Sequence, residues 1–315
     1  MTDISRQGQD STVRLRVAVP AGLTLVAFLY LLSQENFLLF HSLVELAAVS
    51  VGLMFVAVTL NLYPLSRNAF LAFLAIGLAW AGVVDLVHTL AYKGMGVFPG
   101  DDPNLPTQLW LVARFVEAGA IFLAPWFIMR SLRLAPAAIG VGAVVTALLV
   151  LVFTGLFPTA FVEGEGLTTF KVWSEYAVVG VLLLSLVPLY RRRDRLDPTV
   201  RNHVIGVILL TVGAEISFTL YVSVYGFSSF VGHIFKLGAY LLVYRVVVET
   251  MLMRPVEALS GLLPLCAGCK AVRGDDGTWE PLESYFGRSA GTSFSHGLCP
   301  QCSRDYYPDM FRENQ

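Results

Sequence analysis

The chain has 315 residues, of which 56% are hydrophobic and only 14% charged, with a formal net charge of −1 at pH 7. Soluble globular chains carry about a quarter charged residues, so this composition excludes an ordinary water-facing surface over most of the length. The near-neutral balance gives no case for nucleic-acid binding, which normally needs a basic patch.

The charge deficit is uneven. Residues 252–315 hold an ordinary soluble mixture, so the apolar surplus lies in 13–251. A bilayer core of about 30 Å is crossed by roughly 20 mostly apolar residues in a helix. Runs of that kind occur at about 15–33, 41–62, 69–92, 108–130, 136–157, 173–190, 203–225 and 229–251. They predict an all-α polytopic membrane protein with about eight transmembrane helices, because backbone groups in lipid must be satisfied within the segment. The first run, Val17–Leu32, exceeds the 7–15 residues of a signal h-region and is followed by no small-residue cleavage site. It is read as a retained anchor. Turn chemistry separates the runs, as at Tyr63-Pro64, Gly94 to Pro106, Gly164-Glu165-Gly166 and Asp197-Pro198.

Arginine and lysine in short loops set the expected orientation. Arg14 and Arg16 precede the first helix, and Arg67 lies between the second and third. Arg130 and Arg133 follow the fourth, Arg191, Arg192, Arg193, Arg195 and Arg201 lie between the sixth and seventh, and Arg254 follows the eighth. The opposite loops hold only Lys93 and Lys171. Eight spans then place both termini in the cytoplasm.

Ionisable residues inside spans are costly and by default mark function. His41 and Glu45 share a helical face, as do Asp85 and His88, Arg114 and Glu117, and His233 and Lys236, through three- or four-residue spacing. Glu175 lies near the start of the sixth helix, and Glu215 is expected near mid-membrane. The predicted orientation puts nearly all of these in the outer half of the bilayer, converging on one cavity. His41, Glu45, Asp85, His88 and His233 are competent metal ligands, whereas Arg114 and Lys236 suit an anionic or polar small ligand. A Schiff base on Lys236 with Asp85 or Glu117 as counter-ion is a third chemistry, and mutual pairing that only pins the helices is a fourth.

All four cysteines fall in the last segment, as Cys266-Ala-Gly-Cys269 and Cys299-Pro-Gln-Cys302. Two C-x-x-C pairs at this separation are the pattern of a closed structural zinc site. A segment this short also lacks the apolar core to be stable unaided. Two disulfides are the competing reading, disfavoured in a reducing cytoplasm. His296 is a candidate neighbour of the site, Arg273 to Gly277 is read as a turn between two short strands, and Trp279 as a core anchor. No nucleophile–base pair or phosphate loop is present in this tail.

The stretch Gly82-Val-Val-Asp85-Leu-Val-His88-Thr-Leu-Ala-Tyr-Lys-Gly-Met95 is followed by Gln108-Leu-Trp110 and Ala113-Arg114-Phe-Val-Glu117. With His41-x-x-x-Glu45 and Gly232-His233-Ile-Phe-Lys236, it resembles the third class of bacterial membrane-associated sensor (MASE) domain over roughly residues 15–250. The tail from Pro264 to Cys302 resembles a four-cysteine module found at the ends of many bacterial sensor kinases and receiver proteins. The resemblance implies a sensory input domain, usually fused to a histidine kinase or a cyclic-di-GMP enzyme. This chain departs from that arrangement: no phosphoacceptor histidine box, ATP-binding segment or Gly-Gly-Asp-Glu-Phe-like stretch follows the last helix.

The expected organisation is a cytoplasmic segment 1–14, a transmembrane sensor-like domain 15–251, a linker helix 252–262 and a zinc-ribbon-like cytoplasmic module 263–315. The expected function is a non-enzymatic, multi-pass sensor of the bacterial inner membrane. It would bind a metal ion or small ligand in the outer half and signal through the zinc module to a cytoplasmic protein. The expected cofactors are zinc in the tail and, as a candidate, a second metal ion in the membrane domain. A second copy of the chain is a candidate partner. A membrane metalloenzyme or redox protein using the same His/Glu/Asp cluster is the main alternative, followed by a transporter and a ligand-free scaffold.

Overall fold

The computed structural model describes residues 2–100, 102–220, 226–253, 263–274, 277–290, 294–295 and 297–306, with backbone alone at 2–18 and 289–290. The chain divides into two compact units, Met1–Arg254 and Pro255–Gln315.

The first unit is helical. Its helices are α1 (Thr2–Glu35), α2 (Phe37–Ser66), α3 (Ala69–Leu90), α4 (Asn104–Leu123), α5 (Leu134–Phe153), α6 (Thr169–Arg191), α7 (Pro198–Thr219) and α8 (Phe227–Arg245). A π-helical stretch, Val246–Met253, continues from α8. Among the described residues, seven helices, α2 to α8, are long and apolar enough to cross a membrane, and α1 contributes the shorter apolar stretch Val19–Glu35. These are the apolar runs that the composition singles out, and the chain is a multi-pass helical membrane protein.

Local chemistry sets where the helices begin and end. The Asn36 side chain accepts from the Leu39 N–H at 2.9 Å and the Asn68 side chain from Leu71 at 3.1 Å, each relieving a first-turn donor that has no intrahelical partner. Between them, α2 stops at Arg67, in the left-handed region at φ 50°, with its N–H on the Tyr63 carbonyl. Asp197 caps α7 through Thr199 and Val200, with Pro198 at the first helical position. The apolar run predicted to continue to residue 130 stops being α-helical at Leu123. There Pro125, which has no N–H to donate, starts a 3₁₀ turn over Ala124–Phe127.

Helix α3 is the centre of the bundle, packed against α2, α4 and α5. Its apolar window is 72% buried, whereas that of α5 is only 17% buried, so α5 is an outer helix whose apolar side chains face lipid. Close approach of α3 to α4 depends on Gly77, where a Cβ would collide with the Ala120 methyl. Between α5 and α6 the chain forms a small antiparallel hairpin, β1 (Phe161–Val162) with β2 (Gly166–Leu167). Its turn places Gly164 at φ 88°, in keeping with the glycine pair at this break.

In the second unit β3 (Val272–Arg273) pairs antiparallel with β4 (Trp279–Glu280), followed by α9 (Leu282–Ala290) and α10 (Pro300–Tyr306). The predicted strand–turn–strand is present. Trp279, however, is not a core anchor: it is 54% exposed. In this register Val272 faces the interior opposite Glu280, while Trp279 lies opposite the exposed Arg273, on the other side of the pleat. His296 and most of the predicted linker helix (254–262) lie outside the described residues.

Candidate ligand site

The ten membrane-embedded residues singled out from the sequence are all buried, none more than 4% exposed. His41 and Glu45 sit near the start of α2, Asp85 and His88 near the end of α3, and Glu175 near the start of α6. His233 and Lys236 sit near the start of α8, with Arg114 and Glu117 midway along α4. Since neighbouring helices run in opposite directions, these positions gather in one half of the bundle, from its end to the middle of α4 and α8. Glu215 lies four residues (about 6 Å) before the end of α7 at Thr219 and lines a small pocket with Arg114, Glu117 and Lys236.

A charged chain links four helices. Lys236 donates to Glu45 Oε2 at 2.6 Å and to Asp85 Oδ2 at 3.0 Å. Arg114 donates to the same Asp85 oxygen at 2.6 Å and to Glu117. Sequence spacing alone leaves open whether Arg114 pairs with Glu117 or with Asp85; it pairs with both, and Lys236 shares the second. The face of Trp110 lies 4.7 Å from the Arg114 guanidinium and 4.6 Å from the Lys236 ammonium, an aromatic platform for both cations. Beside this chain, Lys171 donates to Glu175, which also accepts from the Thr219 hydroxyl at 3.1 Å. Both Glu215 carboxylate oxygens lack a hydrogen-bond partner among the described residues.

Three histidines adjoin the chain. His41 and His88 face each other through Nε2 atoms 3.3 Å apart. His88 Nδ1 lies 2.7 Å from the Pro106 carbonyl, and His233 Nδ1 lies 2.7 Å from the Ser229 carbonyl. A carbonyl only accepts, so each Nδ1 carries its proton and donates it. His233 Nε2 lies 3.6 Å from Glu45 Oε1, too far for a hydrogen bond. The His41 ring stacks on Tyr92 with centroids 3.8 Å apart.

These rings line a cavity of about 50 Å³ together with Tyr92, Trp110, Lys171 and Phe218. That is room for a few water-sized groups. Lys93 and Leu167, from the segment after α3 and from β2, also line it. Lys171, Trp110 and Tyr92 also line the cavity; the sequence places Trp110 and Tyr92 within the family-like stretches without assigning them a role. Lys171 reads as a loop charge because it precedes the apolar run, yet its four-residue spacing to Glu175 is an available signal. Trp110 reads as a packing residue, and nothing in its local sequence distinguishes a packed indole from one that carries cations.

The four cysteines are free thiols. Cys299 Sγ accepts from the Cys302 N–H at 3.4 Å. The backbone N–H of Cys269 likewise favours the Cys266 thiolate, so both Cys266 and Cys299 are held below the ordinary thiol value. Among the described residues, the group of three side chains whose ligand atoms lie within 4.8 Å of one another is His41, Glu45 and His88. The cysteines stand as two separate pairs.

Apolar helices long enough to span a membrane, six of which (α2, α3, α4, α6, α7 and α8) or the segments beside them border a buried, charged, histidine-lined cavity, define a polytopic membrane protein with a polar cluster inside its bundle. The chain belongs to the MASE3 family of membrane-associated sensor domains, whose family model matches residues 32–255. That span contains all ten residues of the buried cluster. No curated protein and no solved structure matches the chain.

Proposed function

We propose that the buried cluster is the input site of a signal sensor of the bacterial inner membrane. A metal ion or small ligand enters the cavity from the periplasm, and the change passes through α8 to the cytoplasmic cysteine module. That module holds one structural zinc through Cys266, Cys269, Cys299 and Cys302 and presents a surface to a signalling partner. The orientation rests on the arginine-rich loops together with α1 as an eighth span, an arrangement with both termini in the cytoplasm. The zinc rests on the two C-x-x-C pairs and the amide donors aimed at their sulfurs.

One observation carries the reading. The cavity-lining histidines stand one contact away from Glu45, and Glu45 is tied by Lys236 to α8 and through Asp85 to Arg114 on α4. A ligand that engages the histidines therefore competes directly for groups that bind helices together. Signalling requires two states with different ligand affinity, and a bifurcated ion network is an element that can switch between them.

Hydrogen exchange on the full chain tests the coupling whatever the ligand is. Glu45→Gln and Lys236→Met should change protection in peptides covering 246–253 and 263–274 while leaving the outer helix α5 unchanged. Changes confined to the helices that carry the substitutions, or spread evenly over the molecule, would exclude an input role.

A further inference from the structure

Building on the reading of this cluster as an input site, we infer that its ligand is a divalent first-row transition-metal ion, bound by His41, His88, His233 and Glu45.

The geometry of the donor atoms comes first. Two ligands each about 2.0 Å from a tetrahedral ion lie about 3.3 Å apart. His41 Nε2 and His88 Nε2 are separated by 3.3 Å, and Glu45 Oε1 and His233 Nε2 by 3.6 Å. Glu45 joins His41 and His88 in a set whose ligand atoms all lie within 4.8 Å of one another; His233, 3.6 Å from Glu45, lies outside that set and closes in as the fourth ligand when the ion binds. Three neutral imidazoles with one carboxylate suit zinc, copper, nickel or iron over calcium or magnesium, which take oxygen ligands.

Two of the three histidines have their protons already placed for metal binding, and His41, whose Nδ1 has no partner among the described residues, must release the proton from Nε2. The Nδ1–H of His88 and of His233 is committed to a backbone carbonyl, which leaves each Nε2 with its lone pair directed at the cluster. This is how metal-bound histidines are ordinarily oriented. Consequently His233 Nε2 and Glu45 Oε1 confront each other as two acceptors, and both lack a hydrogen-bond partner among the described residues. Facing acceptors buried in a low-dielectric interior are unfavourable unless a proton or a metal cation lies between them.

Charge gives an independent argument. Among the described residues, every buried charged side chain belongs to this cluster: Arg114, Lys171 and Lys236 against Glu45, Asp85, Glu117, Glu175 and Glu215. Five carboxylates against three cations leave a formal excess of two negative charges when the histidines are neutral. Uncompensated buried charge is strongly destabilising; a divalent ion offsets this excess, as does protonation of a buried carboxyl such as Glu215, whose oxygens have no partner among the described residues.

The test uses the full chain in detergent, with Cys266→Ser and Cys299→Ser to remove the tail site, stripped with a chelator and titrated with Co²⁺. One equivalent should bind, with the visible d–d absorption of a four-coordinate nitrogen/oxygen site and no thiolate charge-transfer band. His88→Ala and His233→Gln should each weaken binding at least ~100-fold, beyond the 10–100-fold typical of groups that merely orient a ligand. His203→Ala, which alters a histidine on α7 outside the cluster, should leave it unchanged. Thermal unfolding of each variant separates lost binding from lost folding, and two variants at different ligands guard against one failing to fold. No stoichiometric binding, or binding that survives both cluster substitutions, overturns the inference. If Co²⁺ does not bind while the Lys236→Met exchange changes persist, the metal fails and the sensor reading stands. If Co²⁺ binds but those exchange changes are absent, the metal stands and the sensor reading fails.

Discussion

Lys236 and Glu45 lie 191 positions apart in the chain and are joined by a 2.6 Å charge-assisted hydrogen bond in the interior of the bundle. The contact ties α8 to α2, and the same ammonium reaches Asp85 on α3. Removing one partner of a buried pair leaves a charge with nothing to balance it, which costs more than the pair contributes. Lys236→Met is therefore expected to destabilise the protein by about 3 kcal/mol, measured by reversible unfolding in detergent. Lys236→Met with Glu45→Gln should recover at least half of that loss. A double variant no more stable than the single one would show that the pair does not act as a unit.

At the opposite end of the bundle, the Tyr63 hydroxyl donates to the Leu132 carbonyl at 2.9 Å and accepts from the Leu132 N–H at 3.0 Å. One phenol thus satisfies both backbone groups of a buried residue in the segment leading into α5. Tyr63→Phe removes both bonds while keeping the ring, and a loss of about 1–3 kcal/mol is expected. Unchanged unfolding would mean that water or another group replaces the hydroxyl there.

Gly77 tests helix packing. A side chain at this position meets Ala120 across the α3–α4 contact. Gly77→Val should cost about 1–3 kcal/mol by overpacking. Ala120→Gly introduced on top of it should return part of the loss, since it removes the atom struck. No rescue by the second substitution would place the damage elsewhere.

The cysteine module has a pH signature. Cys266 and Cys299 are held below the ordinary thiol value of 9.0, chiefly by backbone N–H groups of Cys269 and Cys302. In metal-free protein, iodoacetamide should label these two thiols with a half-maximal rate at a pH below that of an unstructured cysteine peptide. The corresponding stabilisation is present above the unfolded thiol value and is lost as pH falls through the folded one. Zinc should protect all four cysteines from labelling, and chelation should restore it. Labelling profiles that match the free peptide would remove the amide donors from the account.

The legible parts of this molecule are those governed by short-range rules. Apolar runs mark the spanning helices, and three- or four-residue spacing puts His41 with Glu45 and Asp85 with His88 on common faces. Even the convergence of those faces follows from alternating helix direction. What stays hidden depends on distances between helices. The sharing of one Asp85 oxygen by Arg114 and Lys236 joins segments far apart in the chain, so no local pattern encodes it. Lys171 is concealed for a different reason: its backbone lies at a helix start, where a lysine ordinarily reaches water, yet its side chain is buried against Glu175. Trp279 misleads because size suggests burial, while strand register decides which side of the pleat it takes.

The stretch Val246–Met253 that continues from α8 is wound as a π-helix. Hydrogen bonds there span five residues in place of four, so each turn stores an extra residue. Were one such turn to tighten to α-geometry, the backbone beyond it would rotate by about 100° and advance by about 1.5 Å, the values of a single residue step. Thr59 on α2 holds this stretch through a 3.4 Å contact with the sulfur of Met251. A one-residue tightening of this stretch would turn the chain at residue 253 by about a quarter-turn, enough to exchange one exposed face for another.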